Sequence, residues 1–98
     1  SQELLTALGL ESIQALAGIT PDEAAPGYRH FYVRPQLVEG IDWVKASKDT
    51  PYGELSVEWK REGDKLTLDV IVPVGTTATV VLPNHKEPIE LTSGKHRI

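Results

Sequence analysis

Residues 55–72 read Leu55-Ser56-Val57-Glu58-Trp59-Lys60-Arg61-Glu62-Gly63-Asp64-Lys65-Leu66-Thr67-Leu68-Asp69-Val70-Ile71-Val72. Leu55, Val57 and Trp59 alternate with polar residues, and Leu66, Leu68, Val70 and Val72 do the same beyond Gly63-Asp64. Period-two alternation marks strands with one buried face, and a Gly-Asp pair between two such runs suits a two-residue type II′ turn. That turn sets the register. It pairs Trp59 with Leu68, Val57 with Val70, and Leu55 with Val72, all on one face. It also sets Glu58 opposite Asp69, a repulsion of a few tenths of a kcal/mol unless a neighbour such as Lys60 compensates. Three apolar pairs outweigh it.

Working outward, the same period recurs on both sides. Upstream, Phe31 and Val33 share a face, while His30, Tyr32 and Arg34 share the other; Pro35 ends that strand or marks it as an edge. A strand is expected around residues 41–47, followed by the turn Asp49-Thr50-Pro51-Tyr52-Gly53. Downstream, Pro73-Val74-Gly75-Thr76 turns the chain into a strand over 77–82, and 83–88 is a loop. Ile89-Glu90-Leu91 is a short strand, and residues 96–98 form a last one after Ser93-Gly94. Six or seven short strands with frequent turns predict a mainly β fold, an antiparallel β-sandwich of jelly-roll or Greek-key type over residues 20–98.

Residues 1–19 differ. Leu4, Leu5, Leu8, Ile13, Leu16 and Ile19 recur near helical spacing, Gly9 weakens the middle, and Gly18 suits a left-handed C-terminal cap. One N-terminal α-helix is expected there, its apolar face buried on the sandwich or on a domain beyond this chain. Thr20-Pro21-Asp22-Glu23 then reads as a capping box, with room for only one turn before Pro26.

The chain has 98 residues, a net charge of −4, and neither cysteine nor methionine. That is one domain with one modest core, too short for a catalytic barrel of roughly 250 residues. No Lys/Arg stripe invites nucleic acid, and no run approaches the ~18 apolar residues of a membrane helix. Disulfides and thiol catalysis are excluded, and the compartment stays open. The first residues lack a signal peptide's basic-then-apolar pattern, and the sequence reads as a piece of a longer protein.

Local chemistry is sparse. His30, His85 and His96 lack metal-ligand spacing, so neither metal nor other cofactor is expected. There is no Gly-x-Ser-x-Gly elbow and no Gly-rich phosphate loop. Asp42, Glu58, Asp64 and Asp69 fall on solvent faces or turns and read as surface charge; a glycosidase needs two carboxyl groups roughly 5–9.5 Å apart in a cleft. Five aromatic residues could stack on a sugar. Trp59 is in step with Leu55 and Val57 and Trp43 with Ile41, which assigns both to the core; Tyr52 reads as an anchor at the sandwich edge. Tyr28 and Tyr32 remain open.

Several separated motifs resemble, in order, the C-terminal β-sandwich domain of bacterial α-L-rhamnosidases of glycoside hydrolase family 78. They are Ala17-Gly18-Ile19, then Pro21-Asp22-Glu23-Ala24-Ala25-Pro26-Gly27-Tyr28-Arg29-His30-Phe31, then Arg34-Pro35-Gln36. Ser47-Lys48-Asp49-Thr50-Pro51-Tyr52-Gly53, Glu58-Trp59-Lys60 and the run from Val72 to Pro83 follow. The resemblance implies a parent enzyme that hydrolyses terminal α-L-rhamnosides with inversion. Its catalytic (α/α)6 barrel precedes the sandwich in the same chain, and residues 1–19 would be the end of the last barrel helix. His30 maps onto a histidine that approaches the rhamnose site, where it could donate to a sugar hydroxyl. The alternative is that His30 only pins the start of its strand. The family's Glu-Trp pair, whose Glu is thought to activate water, should fall near Gly9 or Leu10. This chain has neither residue type there, and Glu11 is out of phase by roughly 100° per residue around a helix. No catalytic residue is therefore assigned. The chain alone is expected to be inactive, its partners being the barrel and a rhamnose-containing glycoside. A stand-alone carbohydrate-binding module, or a structural or interaction module, is the alternative function.

Overall fold

A computed structural model describes residues 15–83 and 85–98. The helix expected over residues 1–19 lies mostly outside these. Residues 15–17 are helical, and Gly18 closes the helix with φ +81°, as its cap position predicted. Ile19 is not helical. It opens β1 (Ile19–Pro21), which pairs antiparallel with β2 (His30–Val33) through Ile19↔Val33, Thr20↔Tyr32 and Pro21↔Phe31. The capping box does not form either. Thr20 and Pro21 extend as an edge strand, which a proline tolerates. Asp22 organises the following turn instead, its Oδ1 accepting from Ala24 N at 3.0 Å and its carbonyl from Ala25 N at 2.9 Å. A short 3-10 turn, Pro26–Tyr28, leads into β2.

The remaining strands are β3 (Trp43–Thr50), β4 (Gly53–Glu62), β5 (Lys65–Val72), β6 (Thr77–Val80), β7 (Ile89–Leu91) and β8 (Gly94–Arg97). They form two four-stranded sheets, ordered β1-β2-β6-β7 and β3-β4-β5-β8. The sandwich predicted from alternation is therefore the fold, with one qualification: β2 and β6 run parallel. Among the described residues, the other pairings are antiparallel.

The β4–β5 hairpin has the predicted register, with Trp59↔Leu68, Val57↔Val70 and Glu58↔Asp69. Gly63 has φ +60° while Asp64 is not at positive φ, the signature of a type II′ turn. The inner faces carry Phe31, Val33, Ala78, Val80 and Leu91 from one sheet and Val44, Val57, Trp59, Leu68 and Val70 from the other. At roughly 1.5–3 kcal/mol for each fully buried large side chain, this layer is the main stabilising element.

One further expectation needs correction. Trp43 is not core. Val44 and Ala46 are the inward residues of β3, so Trp43 stands half-buried on the outer face and donates its Nε1–H to Glu58. Ile41 is buried but precedes the strand, so the alternation does not carry from Ile41 to Trp43. The Glu58–Asp69 opposition is compensated by neighbours, chiefly by Arg97 on β8. The Arg97 guanidinium donates to Asp69 at 2.8 Å and holds that carboxyl below its usual range, with Lys60 adding a weaker attraction.

Candidate functional site

The period-two geometry of β2 sends Phe31 and Val33 into the core and leaves His30 and Tyr32 on the outer face of the first sheet. β6 lies alongside with His30↔Thr77 and Tyr32↔Thr79, and β7 adds Thr79↔Glu90. Three strands thus bring His30, Thr77, Thr79 and Glu90 onto one face. The start of β2 is pinned on both sides, because the His30 carbonyl accepts from Asp22 N at 3.1 Å and the Arg29 carbonyl from Thr77 N at 3.0 Å.

The His30 ring is engaged at both nitrogens. Nδ1 lies 2.6 Å from Thr77 Oγ1, and Nε2 lies 2.8 Å from Thr79 Oγ1. The Thr79 hydroxyl donates onward to Glu90 Oε1 at 2.8 Å. Tyr32 packs edge-to-face against the imidazole, with centroids 5.3 Å apart and planes at 86°, and Arg34 covers the Tyr32 ring at 5.4 Å. Two threonines and a tyrosine hold the ring in one orientation. Thr77 is exposed and Thr79 is buried, so the nitrogen within reach of solvent is Nδ1. The arrangement offers an oriented hydrogen-bonding group that ends, among the described residues, on the Glu90 carboxylate.

The other candidate residues lie apart from this site. Among the described residues, no three His, Cys, Asp or Glu side chains gather as metal ligands. His85 Nδ1 contacts the Glu87 carbonyl at 2.9 Å, and His96 Nε2 contacts the Thr92 carbonyl at 2.7 Å. The aromatic residues form no single row. Trp59 is interior, Trp43 is on the second sheet's outer face, and Tyr32 is on the first sheet's outer face beneath Arg34. Tyr28 sits at the end of the sandwich with Lys48 Nζ 5.3 Å over its ring. Tyr52 lies beside Gly27 and Gly75, where an added Cβ would come within 3.9 and 3.7 Å of its ring. Tyr52 itself is 41% exposed.

The residues that alternation left unassigned are those of the seam between helix and sandwich. The last carbonyls of a helix have no partners within it. Here the sandwich supplies donors: Leu16 O accepts from Trp59 Nε1 and Gln36 N, each at 3.0 Å, and Gly18 O accepts from Arg34 N at 2.9 Å. The signal in the sequence is Trp59 itself, because a buried tryptophan needs an acceptor for its N–H.

Residues 18–97 match a family model described as the bacterial alpha-L-rhamnosidase C-terminal domain. An alpha-L-rhamnosidase of Formosa agariphila is 32% identical over 82 residues, which are 84% of this chain and 9% of that protein. The crystal structure of native α-L-rhamnosidase from Aspergillus terreus superposes with a TM-score of 0.80 at 30% identity, covering 89% of this chain and 10% of that one. The Streptomyces avermitilis α-L-rhamnosidase, solved in complex with L-rhamnose, gives 0.79 at 28% identity with 89% and 10% coverage. This chain spans about a tenth of the length of these relatives.

Proposed function

The chain belongs to the family of bacterial α-L-rhamnosidase C-terminal domains, and from that premise we propose that it serves a larger enzyme acting on terminal α-L-rhamnosides. In that enzyme it is the accessory sandwich, packed on a catalytic barrel of the same chain and lending His30 to the sugar site. The observation that carries this reading is coverage: the likeness takes in most of this chain and only about a tenth of each relative. The helix end agrees with it. Three backbone or indole donors from the sandwich tie residues 16–18 in place, as a rigid joint to a preceding domain requires. A preoriented imidazole on the outer face, with its exposed nitrogen held by a replaceable threonine hydroxyl, supports the role of His30.

The test uses the larger protein and an aryl α-L-rhamnoside. His30→Ala should raise KM about 2–10-fold, the worth of one neutral hydrogen bond, in a variant whose fold is checked by circular dichroism. An unaltered KM in the folded variant would remove His30 from the sugar site.

A further inference from the structure

A threonine hydroxyl carries one proton, and a carboxylate only accepts. The Thr79 proton is committed to Glu90 Oε1 at 2.8 Å. Thr79 Oγ1 can therefore only accept from the imidazole nitrogen 2.8 Å away, and His30 Nε2 must carry the ring proton. In the neutral ring Nδ1 is then bare, and the Thr77 hydroxyl at 2.6 Å donates to it. The order of donors runs from Thr77 through His30 and Thr79 to Glu90.

We infer that Glu90, acting through Thr79, is a positioning residue that holds His30 as the Nε2–H tautomer and makes its outward nitrogen a hydrogen-bond acceptor. The ligand group this nitrogen takes is a donor, such as a sugar hydroxyl, arriving in place of the Thr77 hydroxyl. The polarity is the reverse of a histidine that donates to the sugar. Glu90 touches no ligand in this scheme; it acts by fixing which ring nitrogen is protonated. The consequence for sugar recognition rests on the role proposed for His30, whereas the tautomer itself does not.

The 98-residue chain, labelled with 15N-histidine, tests this at about pH 8, where an imidazole is ordinarily neutral. Two-bond proton–nitrogen correlations show which ring nitrogen bears the proton, and loss of signals in His30→Gln assigns them. The expected result is Nε2–H in the wild type and in Glu90→Gln, whose amide oxygen still accepts. Glu90→Lys should reverse it: an ammonium donating to Thr79 Oγ1 turns the threonine proton toward Nε2, and the ring proton moves to Nδ1. Glu90 is exposed on an edge strand, so the variant keeps its fold, which circular dichroism checks. A wild type with Nδ1–H or an averaged tautomer overturns the inference, as does a folded Glu90→Lys that keeps Nε2–H. If the tautomers come out as expected while His30→Ala leaves the KM of the larger protein unchanged, the sugar contact falls and the positioning role stands.

Discussion

Trp59→Ala should lower the unfolding free energy by about 3–5 kcal/mol, the range for truncating a buried aromatic residue. Trp59 is fully buried, pairs across the hairpin with Leu68 and across β3 with Val44, and reaches the helix end through Leu16 O. Its loss opens a cavity between the sheets and removes the indole donor to Leu16 O. Domains of this size hold roughly 5–15 kcal/mol in total, so the variant should be partly unfolded at 37 °C or melt at least ~12 °C lower. Trp59→Phe separates the two contributions. It keeps most of the packing and loses the indole N–H; Leu16 O retains Gln36 N, so a loss of only about 0.5–1.5 kcal/mol is expected from the missing bond. Urea midpoints of the three proteins measure both steps. Equal midpoints for the wild type and Trp59→Ala would show that the indole does not fill the core as described.

Gly18→Ala should cost more than an ordinary substitution at positive φ. A Cβ at residue 18 would stand 1.8 Å from the Arg34 carbonyl oxygen and 2.2 Å from its carbon, both backbone atoms that cannot swing aside. Either β2's continuation or the helix end must move, and the Arg34 N to Gly18 O bond goes with it. The internal comparison is Gly40, which has φ +89° with nothing within 4 Å of an added Cβ. Gly40→Ala carries only the left-handed penalty of about 1–2 kcal/mol. Gly18→Ala should exceed it by at least ~1 kcal/mol, one lost backbone hydrogen bond, and this gap reports the close approach at the seam. Equal losses in denaturant titrations of the two variants would show that the chain relaxes there freely.

What the sequence disclosed follows from how local each cause is. The β4–β5 hairpin needs only Gly63, Asp64 and two alternating runs, all within one stretch, and its register was legible to the residue. The cap at Gly18 is equally local. β1 was not legible, because Ile19 continues the helical spacing and Thr20-Pro21-Asp22-Glu23 is also a sound capping box; strand pairing with β2 decides between them. The parallel β2–β6 pair joins segments far apart in sequence, and alternation says nothing about strand direction. The partner of Asp69 comes from β8, 28 residues away.

The candidate site divides in the same way. The motif around residues 24–36 singled out His30, and alternation placed it on the outer face with Tyr32. Its hydrogen-bond partners are another matter. Thr77 and Thr79 lie 47 and 49 residues downstream, and only the sheet order makes them neighbours. Glu90 was one acidic residue among many until β7 set it beside Thr79. The stretch that carries much of the family resemblance is therefore also the joint of the fold: the helix end, β1 and β2 are fixed together there, and His30 stands on the sheet they begin.

In the proposed role this chain is an accessory part of a rhamnosidase and not itself the catalyst. Incubating the purified 98-residue chain with an aryl α-L-rhamnoside tests that directly. The predicted result is no aryl release above the buffer rate. Release above that rate, abolished by substituting Glu11, would contradict it and place the catalytic group within these residues.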